Sequence, residues 1–235
     1  MELLFREDPY LKSCEATVTA SGPEGLRLDR TVFYPMGGGQ PGDRGTLTLE
    51  DGTVLTVVDA VKGGDHEDVV HVLAEGTPAP APGSKLTAAI DWERRHRHMR
   101  MHTCLHLLCA VVEGDVTGGQ IGADKGRLDF NLPDTQLDKD ALTAALNRLI
   151  EEDHPVRPRW IGDDELAAQP DLVRTMSVKP PSGSGRVRLL DIAGVDLQPC
   201  GGTHVSRTGE IGRVKVGKIE NKGRQNRRIN ILFDE

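Results

Sequence analysis

The chain is poor in aromatic residues, with two Trp, two Tyr and four Phe among 235 positions, and it carries a net charge of -7. Tight non-specific binding of nucleic acid by the molecule as a whole is therefore not implied, although local basic patches remain open. Cysteine is also scarce. Cys14, Cys104, Cys109 and Cys200 are irregularly spaced, which argues against a disulfide framework and leaves metal binding or plain burial. No stretch approaches the ~18 apolar residues of a membrane span. The opening "MELLFREDPY" has neither an apolar signal region nor a cleavage pattern. These absences read as a cytoplasmic protein without a membrane partner, long enough for one large domain or two small ones.

What is present divides into two parts. The first is strand-like. "CEATVTA" alternates apolar and polar, "GTLTLEDGTVLTVVDAV" reads as a hairpin turning at Asp51-Gly52, and "DVVHVLA" follows. Residues 76–84, "GTPAPAPGS", read either as an interdomain linker or as a long loop, and "KLTAAID" after them reads as a strand. The expected boundary lies near residues 84–91, giving domains 1–88 and 89–235. The second part mixes helices and strands. From Asp91 to Glu113 the apolar residues Met101, Leu105, Leu108 and Val112 mark one helical face, with Asp91 placed to cap it. A second helix is expected over 138–152 and a short one at "DDELAAQ". Strands return in "RVRLLDI", "IGRVKVGKIE" and "RRINILF", the last two flanking "NKGRQN" as a hairpin.

Within the first of these helices, His102 and His106 lie four apart, so both imidazoles sit on one face and can converge. A second pair, Cys200 and His204, is also four apart, but across Gly201-Gly202, where the backbone can turn tightly. Three imidazoles and a thiolate make a plausible tetrahedral zinc set. Cys109, three residues past His106, competes with Cys200 for the sulfur position. Thr103 follows His102 where a zinc protease of the H-E-x-x-H type needs Glu, so peptide hydrolysis is a poor fit and an activated ester a better one.

"GGGQPG", residues 37–42, formally matches G-x-G-x-x-G. Pro35 precedes it and strand-like "GTLTLE" follows, so the strand-loop-helix context of a dinucleotide site is missing and no nucleotide cofactor is expected. Gly37, Gly38, Gly39 and Gln40 instead read as a tight turn able to line a site. Two basic clusters flank the candidate ligands. Arg94, Arg95 and Arg97 precede the histidine pair, and Lys222, Arg224 and Arg228 fall near the C-terminus. Positive charge beside a metal pocket suits a phosphate-bearing substrate such as RNA.

"RMHTCLHLL", "QIGADKGRLDF" and "CGGTHVSRTGEIG" together resemble the editing domain of alanyl-tRNA synthetase, and "FYPMGGGQPGDRGTL" resembles the glycine-rich segment before it. The chain resembles the AlaX family of free-standing alanyl-tRNA editing proteins in its longer form. The resemblance runs from about residue 30 to 230 of the sequence. It implies an α+β fold: a small N-terminal β-barrel, then the editing domain shared with threonyl-tRNA synthetase. It further implies hydrolysis, in trans, of the ester in tRNA(Ala) carrying serine or glycine. His102, His106, Cys200 and His204 match the family's zinc ligands, and Thr103 and Gln120 match substrate-handling positions. Ala123 departs from the Ser often found there. The chemistry fits. An apolar synthetic pocket rejects an added hydroxyl by only ~10²-fold, so a second hydrolytic site is needed. Thr103 is the expected contact to the serine hydroxyl. Two roles stay open for zinc, water activation and substrate positioning. Two other functions stay open as well: a zinc-stabilised RNA-binding module, and a deacylase of another mischarged tRNA such as Ser-tRNA(Thr).

Overall fold

The computed structural model describes residues 1–64, 67–132, 137–169, 172–173 and 185–235. Two compact units follow one another along the chain, Met1–His96 and Arg97–Glu235. None of the described helices is long and apolar enough to cross a membrane.

In the first unit, β1 (Glu2–Leu3) and α1 (Leu4–Glu7) precede β2 (Ser13–Gly22), β3 (Gly25–Leu28) and β4 (Arg30–Thr31). Then come β5 (Gly45–Leu49), β6 (Val54–Lys62), β7 (Val69–Leu73) and β8 (Lys85–Ile90). Six of these strands close into a barrel in the order β2-β3-β7-β6-β5-β8. Alternation puts Leu47, Leu55, Val57, Leu86 and Ala88 in its core. A bulge between Val57 and Asp59 shifts the phase of β6 by one, so Ala60 turns inward next. The β5–β6 hairpin turns through Gly52 at φ 85°, as the Asp-Gly pair suggests.

Residues 76–84 join two strands of the same barrel, so they are a loop and not a linker. A domain cut at residue 88 would run through β8, whose Ala89 pairs with Ser13 and Thr46. The division falls later, inside the helix α2 (Trp92–Val111).

One polar group in this core titrates. His71 is fully buried, 2.7 Å from Thr31 Oγ1 and 3.1 Å from the Leu26 carbonyl. Leu26 O can only accept, so Nδ1 carries the proton and Nε2 accepts from Thr31. Burial lowers the His71 pKa to about 4, against a partial offset from the Leu26 bond. The unfolded chain therefore binds more protons between pH 6.5 and 4, and stability rises with pH across that window. It is full above 6.5, and about 2 kcal/mol is lost by pH 5. Urea unfolding at pH 7 and pH 5 is expected to show that loss in the native protein but not in His71→Gln. An equal slope in both would contradict it.

The second unit continues with β9 (Asp115–Gln120), β10 (Lys125–Asn131), α3 (Lys139–Glu151), β11 (Val156–Gly162) and α4 (Asp163–Ala167). It ends with β12 (Arg186–Ile192), β13 (Asp196–Pro199), a short 3-10 turn at Thr208–Ile211, β14 (Val214–Asn221) and β15 (Asn226–Phe233). Two antiparallel sheets form, β14-β15-β10-β9 and β11-β12-β13. Asp138 caps α3 by accepting from the Asp140 and Ala141 amides. Asn147 and Thr143 of α3 bond the backbone of β14 and cover that outer strand.

Helix α2 is more enclosed than a one-faced pattern suggests. Residues 101–109 are all buried. Gly126 on β10 makes this possible, because a Cβ there would lie 2.7 Å from Met101 and 3.2 Å from Leu105.

Candidate metal centre

Two elements bring the donors together. Helical spacing stacks His102 and His106, with ring centroids 5.4 Å apart. The rest come from β13 and the loop just past it. Asp196, Gln198 and Cys200 lie two apart, so their side chains share one face, while Leu197 turns to the opposite side and its apolar cluster. The chain then turns through Gly201-Gly202, and His204 comes back to 4.2 Å from the His102 ring, centroid to centroid. One ligand atom from each of His102, His106, Cys200 and His204 lies within 4.8 Å of all the others. Cys200 Sγ is 3.2 Å from His204 Nε2 and 3.6 Å from His102 Nε2. A tetrahedral zinc with ordinary bond lengths needs such atoms roughly 3.3–3.7 Å apart.

Further contacts decide which ring nitrogens face inward. His106 Nδ1 is 3.0 Å from Asp196 Oδ2 and donates to it, so Nε2 is left for the cluster. Gln198 donates to the other Asp196 oxygen and holds the carboxylate in place. His204 Nδ1 is 3.2 Å from Thr103 Oγ1. That hydroxyl donates to Met99 O and accepts from the Val205 amide, so it receives the Nδ1 proton and again leaves Nε2 inward. Arg188 Nη1 bonds the Cys200 and Gly202 carbonyls and fixes the loop from behind.

The electrostatics match this donor set. Burial alone would raise the Cys200 thiol, but the His102 and His204 imidazoles reverse the effect and hold it well below the usual thiol range. Burial, then His102, pushes His204 well below 6.5, which keeps it neutral. His106 moves the other way: burial lowers it, but Asp196 and Cys200 win and carry it up to about 10, so this ring must release its Nε2 proton to take a metal. Cys109, the competing sulfur, is buried and absent from the cluster. A thiolate with three oriented imidazoles is a good set for zinc.

Comparison with known proteins gives this geometry its setting. Residues 9–94 match the family model described as tRNA synthetases class II (A), and residues 187–230 match the threonyl and alanyl tRNA synthetase second additional domain. The alanyl-tRNA editing protein AlaX-M of Methanosarcina acetivorans is 38% identical over 237 residues, covering 97% of each chain. Its counterpart in Saccharolobus solfataricus is 32% identical over 235 residues, again 97% of each. The chain belongs to the AlaX-M family. An alanine–tRNA ligase of Metallosphaera sedula is 37% identical over 229 residues, which is 93% of this chain but 24% of the ligase.

In this AlaX-M family member the other expected site residues are dispersed. Thr103 is fully buried, and its hydroxyl donates to Met99 O and accepts from the Val205 amide and His204 Nδ1. Gln120 is exposed at the end of β9, where it accepts from Arg127. In the first unit, Gly37 and Gln40 pair across a two-residue turn with Gly38 and Gly39 at φ 57° and 81°. Gln40 is buried, and β5 follows where a dinucleotide site needs a helix.

The basic residues differ among themselves. Arg95 is fully buried against Asp43, which removes it from any RNA contact. Arg94 bonds the Gly42 carbonyl. In the second unit Arg97 holds Ala123 O, Asp124 and Glu235, while Arg228 forms a two-point pair with Asp129. Lys222 and Arg224 are exposed in the turn between β14 and β15. Asp196, Gln198 and Arg188, none of them foreseen, complete the site. The D-x-Q-x-C alternation was the signal for Asp196 and Gln198, and nothing local marks Arg188.

Proposed function

We propose that the protein is a zinc-dependent deacylase that hydrolyses tRNA(Ala) charged with serine, and secondarily with glycine. The four-donor cluster, with Asp196 and Thr103 setting its ring nitrogens, carries the reading. The AlaX-M relatives, named for alanyl-tRNA editing, supply its substrate class. A zinc ion bound by all four donors would fill its tetrahedron and position the ester, and would polarise it only through a fifth coordination position. His102, His106, Cys200 and His204 hold it. Asp196 keeps the His106 Nδ1 proton away from the reaction, and Thr103 does the same for His204. Arg188 fixes the Cys200–Gly202 backbone so that the donors stay aligned. Thr103 influences the choice of amino acid only through His204.

The test is hydrolysis of seryl-tRNA(Ala) by native protein, by protein stripped with a chelator, and by stripped protein given zinc. Rapid hydrolysis, its loss on stripping and its return with zinc are expected. Hydrolysis that survives complete stripping would remove zinc from the reading.

A further inference from the structure

The sequence contains two Trp residues, and one of them, Trp160, is 41% exposed on β11, the outer strand of the β11-β12-β13 sheet. Its position relative to the metal loop follows from register. Trp160 pairs with Arg188 of β12. The Cys200 amide in turn donates to the Arg188 carbonyl, one residue beyond the Leu189–Pro199 pair. Trp160, Arg188 and Cys200 thus form a row across three strands, and residues in such a row point to the same face. Trp160 therefore stands on the metal-bearing face, two strand spacings from Cys200. That is roughly 10 Å along the sheet, or about three stacked nucleotides.

The chemistry around Trp160 is that of a base-stacking surface. The Arg186 guanidinium lies over its ring at 4.5 Å from the centroid. Arg157 and Arg159, also exposed on β11, alternate to the opposite face, where Glu165 lies 3.8 Å from Arg159. The apolar cluster of this sheet, Ile161, Val187 and Leu189, lies on the opposite face and leaves Trp160 no share in it. An exposed indole with one guanidinium on its ring suits an unpaired RNA base, which has a π-face to stack and a phosphate to neutralise.

We infer that Trp160 and Arg186 form a platform on which an unpaired base near the 3′ end of the RNA substrate stacks while the terminal ester lies at the metal centre. This rests on the deacylase reading above. The platform positions substrate and takes no part in bond cleavage.

The test begins with Trp92→Phe protein, in which Trp160 is the sole indole, titrated with an oligoribonucleotide ending in unpaired CCA. Saturable quenching is expected with that RNA and little with a blunt duplex. In steady-state deacylation of seryl-tRNA(Ala), Trp160→Ala is expected to raise KM about tenfold with kcat within about twofold, and Trp160→Phe to restore most of the loss. Unquenched fluorescence, or quenching by blunt duplex to the same degree, would overturn the platform. So would an unchanged KM in a folded, zinc-loaded Trp160→Ala protein. The fluorescence arm needs no catalysis: an inactive protein whose Trp160 is still quenched refutes the deacylase reading alone, and an active one without quenching refutes the platform alone.

Discussion

Replacing Cys200 with alanine is expected, on the zinc-deacylase reading proposed above, to abolish zinc binding and to cut deacylation by roughly a hundredfold or more. Cys200 is the anionic donor of the set. Its thiol is held well below the ordinary range because, against the cost of burial, the His102 and His204 imidazoles stabilise the thiolate. Its sulfur sits 3.2 Å from His204 Nε2 and 3.6 Å from His102 Nε2, so its loss removes both a ligand and the negative charge that offsets a divalent ion. Cys109→Ala makes the comparison, because that residue is buried on α2 outside the cluster. It should keep its zinc while losing some packing. Elemental analysis of the two purified variants decides the matter. Undiminished zinc in Cys200→Ala would contradict the assignment of the sulfur ligand.

The second large effect concerns stability. Arg95→Met is expected to destabilise the barrel unit by roughly 3–5 kcal/mol. Arg95 and Asp43 are both fully buried. The guanidinium Nε donates to both Asp43 oxygens, while Nη2 donates to Asp43 and the Val32 carbonyl, and Nη1 to the Pro9 carbonyl. Asp43 also accepts the Tyr34 amide. Removing the cation leaves a buried carboxylate and two carbonyls without their donor, which is the costly way to break an ion pair. Replacing both partners, Arg95→Met with Asp43→Leu, should cost less than the single change. Urea unfolding of the three proteins checks this, and a single variant within about 1 kcal/mol of native would refute the role. This pair also explains one glycine of the glycine-rich segment. Gly42 has no room for a side chain, with the Ala60 carbonyl 2.0 Å from where its Cβ would be, so the segment can place Asp43 deep in the unit.

Local signals were legible where one element carried the whole pattern. The histidine pair needed only helical spacing, α3 only its apolar periodicity, and the β5–β6 hairpin only its Asp51-Gly52 turn. Signals divided between distant segments were not legible. "WERRHRHMR" looks like a basic surface because nothing nearby shows that Asp43, 52 residues earlier, takes Arg95 inside. Thr103 looks available because Val205 and His204 meet its hydroxyl from 102 and 101 residues away. Four-residue β13 is too short to show its alternation against the following Gly-Gly, so Asp196 and Gln198 went unread although Cys200 was found. The four clustered side chains were thus visible as two local pairs, while the groups that orient them appear only once the sheet and helix have met.

On the proposed reading, this centre removes a wrong amino acid from tRNA(Ala) and spares the right one. Its most direct test is initial rates of hydrolysis of seryl-tRNA(Ala) and alanyl-tRNA(Ala), side by side, with the same zinc-loaded protein. Rapid release of serine with the alanyl ester largely untouched is the predicted result. Equal rates on both esters, or no release from either by protein carrying its full zinc, would contradict it.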